Sequence, residues 1–182
     1  MQRIMQILHE DHINVAGLLD LMERALERLP NKDPVDLALA SNTMRYMTAY
    51  PDIYHHPLED IVFRHLLKRS PETGLKIHQL FEEHVILGTT GNEFLGKIKT
   101  AIERPSDPLE DLINHGLEYV GQLRAHMNTE EGEIFPLINV VLSTHDWGVL
   151  DESIAVAKDP LFGSQVQKSY QNLAEALLAR TR

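Results

Sequence analysis

Apolar residues recur three and four positions apart from Ile4 to Leu29 (Ile4, Leu8, Val15, Leu18, Leu19, Met22, Leu26, Leu29). That period belongs to an amphipathic helix with one buried face. Pro30-Asn31-Lys32-Asp33-Pro34 ends it. A second helix is predicted from Val35 to Arg69, with Pro51 and Pro57 inside the pattern. Each proline lacks an N–H and crowds the preceding turn, so a kink or short break is expected near His55. Ser70-Pro71-Glu72 reads as the N-cap and first turn of a third helix reaching Glu103. After the linker Pro105-Ser106-Asp107-Pro108, a fourth helix is predicted from Leu109 to Leu142, bent near Pro136. No stretch alternates with period two, which excludes a substantial sheet.

Four long helices with short connections give an all-α, up-down-up-down four-helix bundle. Residues 1–142 form that bundle. They divide into two similar hairpins, 1–69 and 71–142, related by a pseudo-twofold axis. Residues 143–182 are expected to form a C-terminal extension of two shorter helices joined at Lys158-Asp159-Pro160-Leu161-Phe162-Gly163, with Trp147 packing it onto the bundle.

Composition narrows the function classes. At 182 residues the chain is long enough to bury a sizeable core. A net charge of −10 argues against nucleic acid or an anionic membrane as the main partner. There is no cysteine, which removes disulfides, thiolate metal sites and cysteine nucleophiles and suits a reducing compartment. The N-terminal stretch turns acidic too soon for a signal peptide, and no apolar run approaches membrane-spanning length, so a cytoplasmic protein is expected. Ten histidines require an explanation.

The explanation lies in their register. His126-Met-Asn-Thr-Glu130-Glu131 places a histidine and a glutamate one turn apart on one helix face, where both can hold the same ion. His55-His56-Pro-Leu-Glu59-Asp60 repeats the arrangement. Before each copy stands another histidine in an acidic setting: Leu8-His9-Glu10-Asp11-His12-Ile13 and Leu80-Phe81-Glu82-Glu83-His84-Val85. His12 and His84 are 72 residues apart; His55 and His126 are 71 apart. The metal-ligand candidates are therefore His12, His55, Glu59, His84, His126 and Glu130. Four imidazoles and two carboxylates exceed what one tetrahedral zinc needs and suit two ions bridged by the carboxylates. A histidine-rich set favours iron over manganese or magnesium.

These residues resemble the hemerythrin-like, HHE cation-binding family. Its pattern is His on the first helix, His-His-x-x-Glu-Glu on the second, His on the third and His-x-x-x-Glu-Glu on the fourth. The resemblance covers residues 1–142. It implies a di-iron centre of two Fe ions, bridged by two carboxylates and an oxo or hydroxo group, that binds O₂ or nitric oxide. Oxygen-carrying hemerythrins have a fifth histidine one turn from the other on the third helix. The matching positions here are Leu80 and Gly88, so that ligand is missing. Their last carboxylate also comes five residues after the fourth-helix histidine, whereas Glu130 and Glu131 both stand here. The resemblance then implies two imidazoles for each iron and an open position on both.

The remaining polar groups are weaker candidates. His9 shares nearly one face with His12, but His12 is the residue that matches His84. His56, His65, His78, His115 and His145 read as surface or supporting groups. Glu10, Asp11, Glu82 and Glu83 read first as a solvated face from which one acid could orient an imidazole. Asp60 and Glu131 point about 100° from the ligand carboxylates, which suggests capping or surface pairing. Tyr119 reads as core, and Ala16 and Gly88 as close-packing positions or room for a diatomic ligand. No catalytic residue and no organic cofactor site stands out. The expected role is binding or sensing O₂, nitric oxide or iron. A di-iron redox enzyme (peroxidase- or oxidase-like, or repairing iron–sulfur clusters) is the alternative, and a structural module with an incidental site is third. A homodimer is left open.

Overall fold

Proline sets the joints of this chain. The computed structural model describes residues 2–31, 34–154 and 157–180, so Lys32 and Asp33 of the first predicted break lie outside it. Helix α1 (Arg3–Arg28) buries Leu8, His12, Val15, Leu19, Met22 and Leu26 along one stripe and runs into a short 3₁₀ turn at Leu29–Asn31. Helix α2 (Pro34–Met47) starts on a proline, whose missing N–H costs nothing in a first turn. The predicted second helix then breaks, and α3 (His56–Arg69) carries the chain to Ser70. Helix α4 (Gly74–Glu103) begins after a 3₁₀ turn at Pro71–Thr73, later than the expected start at Ser70: the Ser70 hydroxyl bonds the Glu72 side chain and leaves the helix backbone uncapped. Helices α5 (Glu110–Thr129) and α6 (Phe135–Val141) form the bent fourth rod.

Both bends have one physical cause. Pro57 and Pro136 each occupy the second position of a helix and can donate no hydrogen bond. The residue before each proline donates five residues back, one more than an α-helix allows: His56 N–H to the Pro51 carbonyl, and Phe135 N–H to the Glu130 carbonyl. The resulting π-turns, Pro51–His55 and Glu130–Ile134, absorb the ring that would otherwise crowd the preceding turn. They break the twofold repeat. One π-turn ends on the histidine of its His-x-x-x-Glu pair; the other begins on the glutamate.

Neighbouring helices in sequence are neighbours in space: α1 packs on α2 and α5, α4 on α2 and α5, and α3 on α4 and α6. This is an all-α four-helix bundle. Its core falls into two apolar layers. One contains Leu18, Met22, Met44, Leu87, Phe94, Tyr119 and Leu123. The other contains Ile4, Leu8, Phe63, Leu66, Ile77, Leu80, Ile134 and Phe135.

The chain beyond Leu142 returns to both layers. Ser143 and Asp146 cap α7 (Thr144–Ser153) reciprocally, and Asp146 also accepts two hydrogen bonds from Arg69, at 2.9 and 2.6 Å. Trp147 is buried in the second layer. Further on, Asp159 accepts the Tyr46 hydroxyl at 2.7 Å and the N–H groups of Leu161 and Phe162. That seats Leu161 in the first layer ahead of α8 (Gln171–Arg180).

Two glycines of α5 separate packing from propensity. A Cβ at Gly116 would lie 2.5 Å from Phe94 Cζ and 2.8 Å from Leu26 Cδ1, both in side chains with no exposed surface, whereas one at Gly121 would meet nothing within 4 Å. Gly116→Ala should therefore destabilise: about 1–3 kcal/mol of overpacking outweighs up to about 1 kcal/mol of helix propensity. Gly121→Ala should gain that propensity alone and raise Tm by about 2–4 °C. Thermal melts in which Gly116→Ala was the more stable of the two would contradict this packing.

Candidate metal centre

All six residues singled out by the repeat meet where the two apolar layers give way to polar side chains. Glu59 and Glu130 are fully buried, and His12, His55, His84 and His126 are nearly so. The histidines pair off, His12 with His55 (ring centroids 4.9 Å apart) and His84 with His126 (4.8 Å).

Between the pairs lie the carboxylates, each split across them. Glu59 turns Oε1 to His12 Nε2 (3.4 Å) and His55 Nε2 (3.3 Å), and Oε2 to His84 Nε2 (3.4 Å). Glu130 turns Oε2 to His12 Nε2 (3.4 Å), and Oε1 to His84 Nε2 (3.5 Å) and His126 Nε2 (3.2 Å). Every glutamate thus offers one oxygen to each histidine pair.

Behind each imidazole stands a second acid. Nδ1 of His12 donates to Glu131 at 2.9 Å, that of His55 to Asp11 at 3.0 Å, that of His84 to Asp60 at 2.9 Å and that of His126 to Glu83 at 2.8 Å. With Nδ1 carrying the proton, the lone pair of Nε2 faces the glutamates.

A model of the Hemerythrin HHE cation binding domain matches residues 3–138, most of the chain and every residue of this cluster. The chain belongs to the hemerythrin HHE cation-binding family. No curated protein and no solved structure matches it at a significant level.

The donor set fits the cation that the family name calls for. All four oxygens of Glu59 and Glu130, with Nε2 of His84 and His126, are buried without a hydrogen-bond partner among the described residues. Buried polar atoms are rarely left so, and here they converge. Each of two groups, His12 with His55 and Glu59, and His56 with Glu59, His84 and His126, has its ligand atoms within 4.8 Å of one another, as needed to hold a metal ion.

Three sequence expectations need correction. Asp60 and Glu131 serve neither as caps nor only as surface partners. A direction 100° from the ligand face points at the neighbouring helix, and there the outward nitrogen of His84 or His12 waits. Asp11 and Glu83 leave the solvated face for the same reason. These acids carried a readable signal, because Asp11 and Glu83 are 72 residues apart and Asp60 and Glu131 are 71 apart, the spacings of the histidines themselves. The third correction is His56, which is buried and stacked on His84 at 4.5 Å with rings 10° from parallel. One histidine pair therefore has an extra imidazole beside it, and the two halves are not equivalent. His9 bonds the outer acid Glu131 and does not face the glutamates. Tyr119 packs in the core, and the side of Gly88 faces Asp52.

The electrostatics follow from two buried carboxylates. Burial alone would strip the protons from these imidazoles. The close negative charge of Glu130 and Glu59 and the hydrogen bond to Glu131 outweigh it and hold His12 up to about 12. In the same way Asp60, Glu130 and Glu59 hold His84 up to about 11, and the charge of Glu59 with the bond to Asp11 holds His55 up to about 9. Burial would likewise raise Glu59, but the charge of His55 and the close approach of His12 and His84 hold it well below the carboxylate range. Without an ion, protons on imidazole balance the glutamates; a bound cation would replace them and release those protons.

A sign follows for metal-free protein. Histidines raised from 6.5 give stability that is fully present below that pH. It is lost progressively as pH climbs to about 9 for His55 and about 11 for His84. The Tm of chelator-treated protein should fall steadily from about pH 7 to 10, and that of metal-loaded protein much less. A Tm of the chelated form that held level or rose over that range would contradict the charge balance.

Proposed function

We propose that His12, His55, Glu59, His84, His126 and Glu130 bind two iron ions per chain, bridged by the two glutamates, and that the protein binds or senses O₂ or nitric oxide there. The observation that carries this reading is the division of each carboxylate between the histidine pairs. One ion needs no such arrangement; two ions side by side do. Iron in this setting supplies redox chemistry and a position for a diatomic ligand. The chain supplies the rest. Asp11, Asp60, Glu83 and Glu131 fix the imidazole tautomers, as acids behind metal-bound histidines do, and Phe135 lies parallel against His12 at 5.3 Å.

The same burial supports a small ligand over an organic substrate. Glu59 and Glu130 have no exposed surface and lie between two apolar layers. The surface pockets beside the site touch its histidines and outer acids, and neither glutamate lines them. A diatomic molecule can cross such a shell, whereas a larger substrate would have to part the helices. We assign residues 1–142 to the metal-binding bundle and 143–182 to an extension that braces it through Trp147 and Asp146.

Protein reconstituted anaerobically with ferrous iron should contain about two irons per chain, take up nitric oxide when reduced, and melt higher than its chelated form. One tightly bound zinc, and no iron under any loading condition, would end this reading.

Variants test the roles separately. Glu59→Ala and Glu130→Ala should each lose metal and lower the Tm of the loaded protein. Glu131→Ala should weaken metal binding roughly 10- to 100-fold, because it frees His12 to turn. Glu118→Ala, which removes an exposed carboxylate bonded to Gln122 of the same helix, is the control. Metal titrations in which Glu131→Ala and Glu118→Ala behaved alike would show that the outer acids do not position the imidazoles.

A further inference from the structure

We propose that His56 is a fifth imidazole ligand, serving the ion held by His84 and His126; this rests on the two-metal reading above. His55 and His56 are adjacent, so on a helix their side chains diverge by about 100°. From one rod they can therefore address two different neighbours. His55 faces His12 of α1, and His56 faces His84 of α4. Glu59 follows His55 by four residues and His56 by three, and both spacings bring side chains together on a helix. The two histidines thus straddle the glutamate that lies between the two ion positions.

Three observations single His56 out from a merely packed histidine. A ring nitrogen of His56 falls within 4.8 Å of ligand atoms of Glu59, His84 and His126, the group to which it would add. Its Nδ1 faces Asp52 Oδ1 at 3.5 Å, an acid on the same side as those behind the other four imidazoles though farther off than their 2.8–3.0 Å, and this leaves Nε2 for the ion. Asp52 is itself largely buried, and its Oδ2 has no hydrogen-bond partner among the described residues. It lines a pocket of about 390 Å³ with His56, Asp60, His84 and Gly88. Gly88, one of the two third-helix positions that match the extra histidine of oxygen carriers, has no side chain to fill this space, and a Cβ there would lie 3.9 Å from Asp52 Oδ2.

The other half has no counterpart. The position after His126 is Met127, which packs in the apolar core. One ion would then have five protein ligands: His56, His84, His126 and one oxygen of each glutamate. The other would have four: His12, His55 and the remaining oxygens. An exogenous diatomic ligand belongs on the four-ligand ion, beside His12 and His55.

The full chain loaded with cobalt(II) tests this by proton NMR, since each imidazole bound to the paramagnetic ion gives one hyperfine-shifted N–H signal that disappears in D₂O. Five such signals are expected in the unmodified protein, and four in His56→Gln with two cobalt ions retained. Four signals in the unmodified protein with two cobalt ions bound would overturn the assignment of His56 and leave the two-metal reading intact. A chain that takes up neither cobalt nor iron would overturn both. Because the unmodified protein decides between five and four, the test survives a His56→Gln chain that fails to fold.

Discussion

Two fully buried carboxylates face each other in the middle of this bundle, with no hydrogen-bond partner among the described residues. Like charges so placed repel and lose hydration, which is among the costliest arrangements a core can hold. Almost every other polar group nearby answers that cost. Four imidazoles turn Nε2 inward, four acids fix their other nitrogens, and the positive charge of protons or of bound cations completes the balance. The apolar layers on either side keep solvent from doing that work. They also leave both glutamates with no exposed surface.

The backbone is adapted to the same centre. Proline inside a helix normally breaks it, yet Pro57 and Pro136 stand within the two rods that carry His-x-x-x-Glu. A π-turn before each lets the rod continue past the missing donor. The turns fall on opposite sides of the two His-x-x-x-Glu pairs, so the halves match in ligand spacing and differ in local path. That difference, together with Met127 standing opposite His56, is where the pseudo-symmetry of the site ends.

The fold was legible because its signal is repeated over many residues. Three- and four-residue apolar spacing defined four rods, and prolines marked their bends. The six central residues were legible because a fixed spacing of 71 or 72 residues sets them apart from ordinary surface pairs. Asp60 and Glu131 are misread from the sequence, and Asp11, Glu83 and His56 only half read, for one reason. A helical wheel drawn for a single helix sends a residue 100° off the buried face into water, while in a bundle that direction meets the next helix. The kind of bend was hidden too, since proline predicts a disturbed turn without saying whether the helix stops or takes an extra residue into it.

The proposed function requires two ions between Glu59 and Glu130. Anomalous diffraction at the iron edge from crystals of iron-loaded protein would show this most directly. The account predicts two peaks roughly 3.5–4 Å apart, one beside His12 and His55 and the other beside His84 and His126, with both glutamates between them. A single peak, or iron bound elsewhere on the chain with the glutamates still facing each other empty, would contradict it.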